Sequence, residues 1–462
     1  MLPQAYTERM QMLLGEDFAL YQKSLEEAPS RALHVNLYKI TGERLQELLG
    51  DGVTPLSYAD DGYRILTDLP LGKHPLHFAG AYYIQDPSAM VPVASAEVTQ
   101  GMWVLDVCAS PGGKSTQLAN RIGRDGLLVS NEIVPSRCQI LSGNGERMGL
   151  TNQVVTNTDA ATLGTLYPET FDLVLVDAPC SGEGMFRKYP DAVSEWSLGN
   201  VTACATRQLE ILEDAIQCLK PGGELIYSTC TFSTEENEEV VATFLHRHPD
   251  FTLLPVGEAI CQVTAPAIHL TTIGEPLATQ IRECARRFYP HHAYGEGQFV
   301  ARLRKGEGEP SFKKKKPQDD RKPLNQEERR IWDAFVKDTF LSGTTLPTPV
   351  MWKGRVCLLN HDLPASKVAT YSYGVFAGEI VKGRFVPSHW LVNAYGCAFK
   401  RKLNYPADAK ELVTYLTGNT YPTDAPDGWT AILVEGCPLG LGKVSGGVVK
   451  NHFPKGLRPH LS

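Results

Sequence analysis

The chain has 462 residues, 42% of them hydrophobic and 21% charged, and carries a formal net charge of -7. That length implies two to four domains built as ordinary globular units. The negative balance excludes a uniformly basic coat for nucleic acid, so an anionic partner has to be held by particular faces.

In chain order, helical patterns over 6–14 and 18–25 come first, then Ala32-Leu-His-Val-Asn-Leu-Tyr38, which together predict a small α/β subdomain over 1–80. The first residues lack the basic-then-apolar layout of a signal peptide. No apolar run reaches the roughly 18 residues of a membrane span. A cytoplasmic protein without a membrane anchor is expected.

From Gly101 the pattern alternates between strand and helix. Trp103-Val-Leu-Asp-Val107 runs into the turn Ser110-Pro-Gly-Gly113, and a helix follows through Leu118 and Ile122. Strands are predicted over 127–130, 153–156, 172–177, 224–229 and 298–303, with helices over 137–148 and 203–219 between them. Such alternation implies a doubly wound, mainly parallel sheet, in which ligands gather at the carboxyl ends of the strands. Asp106, Glu132, Asp159, Asp177 and Cys230 all fall at or just beyond such ends. Ser233-x-x-Glu236 has capping-box spacing and predicts a helix opening at Ser233.

The stretch 305–323, with Lys313-Lys-Lys-Lys316, is polar and predicts a flexible linker. A helix over 326–340 and a strand-rich region follow, ending in a basic, Gly-rich segment. From Gly436 to Ser462 there is no acidic residue, while Lys443, Lys450, Lys455 and Arg458 stand among glycines and Phe453. That arrangement suits RNA backbone contact with one base stacked on the aromatic ring.

Asp106-Val-Cys-Ala-Ser-Pro-Gly-Gly-Lys-Ser-Thr116 ends like a phosphate-binding loop, but position 108 is Cys where that loop needs Gly. Adenosyl binding is the better reading. The loop Cys108, Ala109, Ser110, Pro111, Gly112, Gly113, Lys114 lets a ligand approach the backbone. Glu132 stands where an acid meets ribose hydroxyls, and Asp159 can accept from an adenine amino group. Either acid could instead cap its helix. Arg137 is placed in the same site.

Eleven cysteines occur without a C-x-x-C pair, which argues against a disulfide framework or a zinc site. Cys180 and Cys230 stand apart because each lies in a polar turn after a strand. A helix N-terminus beginning at Ser233 would favour the Cys230 thiolate. A thiol beside a methyl donor suits methylation of cytosine at carbon 5, where addition to carbon 6 creates the enamine that attacks the methyl group. Asp177 could then hydrogen-bond the base edge. His291-His292, read as an extended pair pointing oppositely with no acid or thiol to complete a set, predicts no metal site. Arg187 and Lys188 are candidate phosphate contacts, or a solvated basic turn.

Three motifs, Asp106–Lys114, Asp177-Ala-Pro-Cys-Ser-Gly182 and Ser228-Thr-Cys-Thr231, together resemble the NOL/NOP/Sun family of RNA 5-methylcytosine methyltransferases. The likeness extends through Tyr83-Ile-Gln-Asp-Pro-Ser88 and 288–301. It implies a Rossmann-like class I methyltransferase fold over 81–304 and S-adenosyl-L-methionine as cofactor. The cofactor would be held by the Cys108–Lys114 loop with Glu132, Asp159 and Asp177. Cys230 would be the nucleophile, and Cys180 would assist release. The C-terminal region 324–462 ends in a segment that looks like the PUA-like module of bacterial members that modify small-subunit ribosomal RNA. The implied partner is ribosomal RNA or the 30S subunit, met by a monomer through RNA-binding N- and C-terminal regions. A transfer-RNA methyltransferase and a non-catalytic RNA-binding assembly factor remain alternatives.

Overall fold

In a computed structural model, residues 2–309, 319–366 and 369–459 are described; Lys313–Lys316 of the expected linker lies outside them. Apolar runs buried on both faces form the centre of the molecule. The strand Trp103–Asp106 pairs in parallel with Leu127–Asn131 on one side and Phe171–Asp177 on the other. Gln153–Thr156 continues beyond the former and Leu219–Thr229 beyond the latter, both parallel. Gln298–Lys305 then pairs antiparallel with Leu219–Thr229. The order is doubly wound, as expected, with Trp103–Asp106 at the point where the winding reverses and a crevice opens.

Helices on both faces bury the sheet in two clusters, one around Leu105, Val129, Val174 and Leu225, the other around Val104, Leu128, Leu175 and Ile226. Alternate residues of the same strands feed opposite clusters, as the strand period of two requires. No helix among the described residues is long and apolar enough to cross a membrane.

The N-terminal unit is a four-stranded antiparallel sheet in the order 53–56, 59–65, 32–35, 82–85. Its edge strand Tyr82–Gln85 lies just past the boundary drawn at residue 80. The two first helices, Gln4–Leu14 and Phe18–Glu26, stand apart from that sheet. Their Tyr6, Met10 and Tyr21 pack on Phe186, Trp196, Phe232 and Tyr289 of the central domain.

The C-terminal half holds two five-stranded sheets. It also adds the strand Thr370–Tyr373 antiparallel to Gln153–Thr156, at the edge of the central sheet. Residues 319–323 are ordered against this half: Asp320 N–H donates to Ala365 O, and Lys322–Pro323 pairs with Val350 and Met351. The expected flexible linker is therefore shorter than 305–323, since Gln298–Lys305 is strand to its end.

Candidate active site

Two polar turns follow the neighbouring strands Phe171–Asp177 and Leu219–Thr229, whose register sets Asp177 opposite Ser228. Cys180 and Cys230 stand in these turns with their sulfurs 3.2 Å apart, both partly exposed. The Cys180 thiol is pushed well above the ordinary thiol range. Its hydrogen bond to the Cys230 sulfur is the main cause, followed by burial and the neighbouring charges of Cys230 and Glu236. Either sulfur can donate in this contact.

Two buried carboxylates cross-link the turns reciprocally. Glu236, from the Cys230 side, accepts from Ser181 N–H at 3.0 Å, from the Ser181 hydroxyl and from Gln208 Nε2 at 2.9 Å. Glu183, from the Cys180 side, accepts from Phe232 N–H, the Ser233 hydroxyl and Trp196 Nε1. Gly184 completes the joint, its N–H donating to Cys230 O at 2.9 Å. Burial pushes the Glu236 carboxyl up to about 7.

These contacts correct the helix expected at Ser233. The capping-box pair Ser233 and Glu236 is spent on the opposite turn, and the helix starts only at Glu238, after Asn237. The helix N-terminus thus lies well past Cys230, and the dipole argument for its thiolate does not apply. Sequence reasoning misses Glu183 and Glu236 as site residues. Glu183 stands just past the Pro-Cys motif, but a carboxylate's tertiary partner leaves no local signature.

Asp177 is oriented by three donors: Lys114 Nζ at 2.7 Å on Oδ2, and Ser228 Oγ at 2.6 Å and Gln298 Nε2 at 3.2 Å on Oδ1. Burial alone would lower the Lys114 ammonium, but the Asp177 carboxylate outweighs it and raises it above the usual lysine range. Lys114 belongs to the helix Gly113–Ile122, and Gly112 before it takes φ 115°. Only glycine adopts that angle without strain, so the loop can turn onto the helix N-terminus.

The other loop residues close one wall of the crevice. Ala109 N–H donates to Asn131 O at 2.8 Å, Ser110 Oγ to Arg137 O at 3.2 Å, and Asn144 Nδ2 to Pro111 O at 2.9 Å. Arg137 donates to Ser110 O at 3.0 Å and lies 3.4 Å from Glu132, so it ties the loop to the acid of the next strand. Glu132 is buried and accepts from Val134 N–H at 2.9 Å. Asp159 is exposed and caps the helix Ala160–Leu166 by accepting from Thr162 N–H at 2.7 Å. That hydrogen bond holds its carboxyl below the usual range. Cys108, in contrast, is pushed up by burial and the surrounding acids.

Asp106, placed at a strand end by the sequence but assigned no ligand there, is fully buried, with Oδ2 on Ser115 and Oδ1 without a hydrogen-bond partner among the described residues. An orphaned acid oxygen beside the glycine turn needs a donor, and the ammonium of S-adenosylmethionine is one. The acids Glu132 and Asp159 on successive strand ends are suited to ribose hydroxyls and an adenine amino group. The donor set fits this cofactor.

Two expectations drawn from the sequence are corrected, and the premises of a third, the reading of His291-His292, change. The Arg187 side chain is buried, bonded to Glu296, Ser24 O and Gly295 O, and Lys188 pairs with Asp86, so this is neither a phosphate site nor a solvated turn. Phe453 is buried against His389 and Tyr415 and cannot stack a base. Trp429, half-buried with Lys443 Nζ 4.9 Å over its ring, is the aromatic of that surface. His291 and His292 lie in a turn, rings 4.2 Å apart, and Asp17 supplies an acid that the sequence does not reveal.

Sequence families match along the chain in order. The N-terminal domain of 16S rRNA methyltransferase RsmF matches residues 2–87, 16S rRNA methyltransferase RsmB/F matches 94–304, and the methyltransferase RsmF PUA domain matches 402–459. Ribosomal RNA small subunit methyltransferase F of Erwinia tasmaniensis is 31% identical, covering 98% of this chain and 96% of its own. The same-named protein of Klebsiella pneumoniae is 34% identical over 92% and 90%. A solved methyltransferase homolog from Pyrococcus horikoshii aligns with TM-score 0.58 at 29% identity, covering 66% of this chain and 95% of that one. NSun6 from Pyrococcus horikoshii, solved with SFG, agrees in fold at TM-score 0.55 and 23% identity, over 66% and 99%. Fold, motif order and full-length relatives coincide, and the chain belongs to the 16S rRNA methyltransferase RsmB/F family.

Proposed function

We propose that the chain methylates carbon 5 of a cytosine in small-subunit ribosomal RNA, acting as a monomer in the cytoplasm with Cys230 as nucleophile. The observation that carries this reading is the 3.2 Å sulfur pair beside an oriented carboxylate at two neighbouring strand ends. Cys138, Cys204, Cys218, Cys357 and Cys437, by contrast, are buried.

The base has to be splayed out of its helix to reach the turns. The Cys230 sulfur then forms a bond to carbon 6, and the electrons of the 5,6 double bond move into the ring as an enamine. Asp177, with three donors already on its two oxygens, retains acceptor capacity for the exocyclic amino group, which uracil lacks. S-adenosylmethionine, held by the Cys108–Lys114 loop with Arg137, Glu132, Asp159 and Asp177, supplies the electrophilic methyl group. A general base takes the carbon 5 proton, and the electron pair left behind re-forms the 5,6 double bond as the carbon–sulfur bond breaks. Cys180 shares its proton with the departing Cys230 sulfur and so eases release. The N-terminal sheet and the PUA-like end carry RNA contacts around this centre.

The test combines the two thiols. Cys230→Ala should cut methyl transfer by about a thousandfold or more while cofactor affinity stays unchanged. Cys180→Ala should accumulate a protein–RNA adduct that survives denaturant on a gel. Mapping ribosomal and transfer RNA from a deletion strain should reveal the lost mark in the former. Methylation by Cys230→Ala, or loss of the mark from transfer RNA alone, would overturn the proposal.

A further inference from the structure

The turn Gly15–Asp17 joins the first two helices and meets the turn after Tyr289. His292 N–H and Ala293 N–H both donate to Tyr289 O, which folds the chain back and sets the two imidazoles on one side. His292 Nε2 lies 3.7 Å from Asp17 Oδ2. One ligand atom each from Asp17, His291 and His292 falls within 4.8 Å of the others. The His291 ring is wedged between Tyr21 at 5.9 Å and Tyr289 at 5.3 Å, and neither of its buried nitrogens has a hydrogen-bond partner among the described residues.

A buried ring nitrogen without a partner is costly, and coordination is one way to satisfy it. Two imidazoles and one carboxylate are borderline donors, suited to zinc and its neighbours rather than to calcium or magnesium. Tetrahedral zinc needs its donors roughly 3.4 Å apart. Asp17 and His292 are exposed, and rotation of their side chains can close the remaining gap.

We propose that Asp17, His291 and His292 bind one zinc-class divalent cation that fastens the N-terminal helices to the catalytic domain. The cation takes no part in methyl transfer. Its effect is structural, because Asp17 comes from the helical pair and the histidines from the segment leading into Gly295-Glu296-Gly297.

Cobalt(II) titrated into the untagged full-length protein tests this, because it reports ligand type by colour. One equivalent should give weak visible d–d bands without a near-ultraviolet thiolate charge-transfer band. Asp17→Ala and His292→Ala should each weaken binding by at least about tenfold, the lower end for disturbing even an outer-shell partner. Zinc should raise the melting temperature of the wild type and leave that of the double variant unchanged. A thiolate band would place the metal on cysteines instead. That result, or bands and melting shifts that persist in both variants, or no binding at all, would overturn the site.

Discussion

Asp106 presses a carboxyl group into the floor of the cofactor crevice, and its environment has a measurable cost. Burial, and then the nearby charge of Asp177, raise it from 3.8 to about 7 against the hydrogen bond from Ser115. A carboxyl raised on folding favours the folded state while protonated. That contribution is whole below about 4, its unfolded value, and is lost as pH rises to about 7. The interval corresponds to about 4 kcal/mol at most. The cofactor-free protein should lose stability between pH 4 and 7, and Asp106→Asn should lose less over the same range. Melting curves of both proteins across that range check it, and parallel profiles would mean that Asp106 is ionised when folded.

Gly184 is where the two cysteine turns touch. A Cβ there would sit 2.6 Å from Gly297 Cα and 2.9 Å from Cys230 O, both backbone, so neither neighbour can yield cheaply. Gly184→Ala should therefore displace Cys230 relative to Cys180 while the cofactor loop, on other strands, stays in place. A shift of about 1 Å at reacting atoms costs on the order of a hundredfold in rate. Single-turnover methylation should fall by about that factor with cofactor affinity unchanged, and an equal loss in both would refute the local effect. At this scale the sequence is informative where burial is uniform. The strands around 103–107, 127–130, 153–156 and 172–177 are legible as short apolar runs because a parallel strand is covered on both faces. The helix predicted at Ser233 fails for the opposite reason. Its cap residues obey the local spacing but are claimed by Ser181 and Glu183 from another turn and by Gln208 from the helix Leu198–Ala215. The placement of both thiols in polar turns is legible from the residues; their 3.2 Å approach is a tertiary fact.

The domains read along the chain are not separable bodies. Leu33, Val35 and Tyr82 of the N-terminal sheet share one apolar cluster with Leu412, Tyr415 and Ile432 of the PUA-like end. Trp352, Cys357, Leu363 and Tyr373 of the C-terminal half lie in the core cluster of the central sheet. Thr370-Tyr-Ser-Tyr373 carries no pattern that announces a strand of a sheet more than 200 residues upstream, which is why the sequence suggests a linker and an appended region instead. The strand has a local consequence for Glu132. Asn157 N–H donates to Ala369 O at 2.7 Å, and its side chain donates to Glu132 O at 2.7 Å and Ile133 O at 3.0 Å. A chain ending at residue 309 keeps every catalytic residue but uncovers the edge Gln153–Thr156 and the apolar surface beneath Trp352 and Tyr373. Unpaired edges recruit other chains, so this fragment should aggregate on heating and melt below the full chain. Its affinity for S-adenosylmethionine should drop, because the segment that supports Glu132 loses its anchor. Calorimetry should record one cooperative transition for the full chain, and a fragment that melts as high and binds cofactor equally well would mean that the shared core contributes nothing to the crevice.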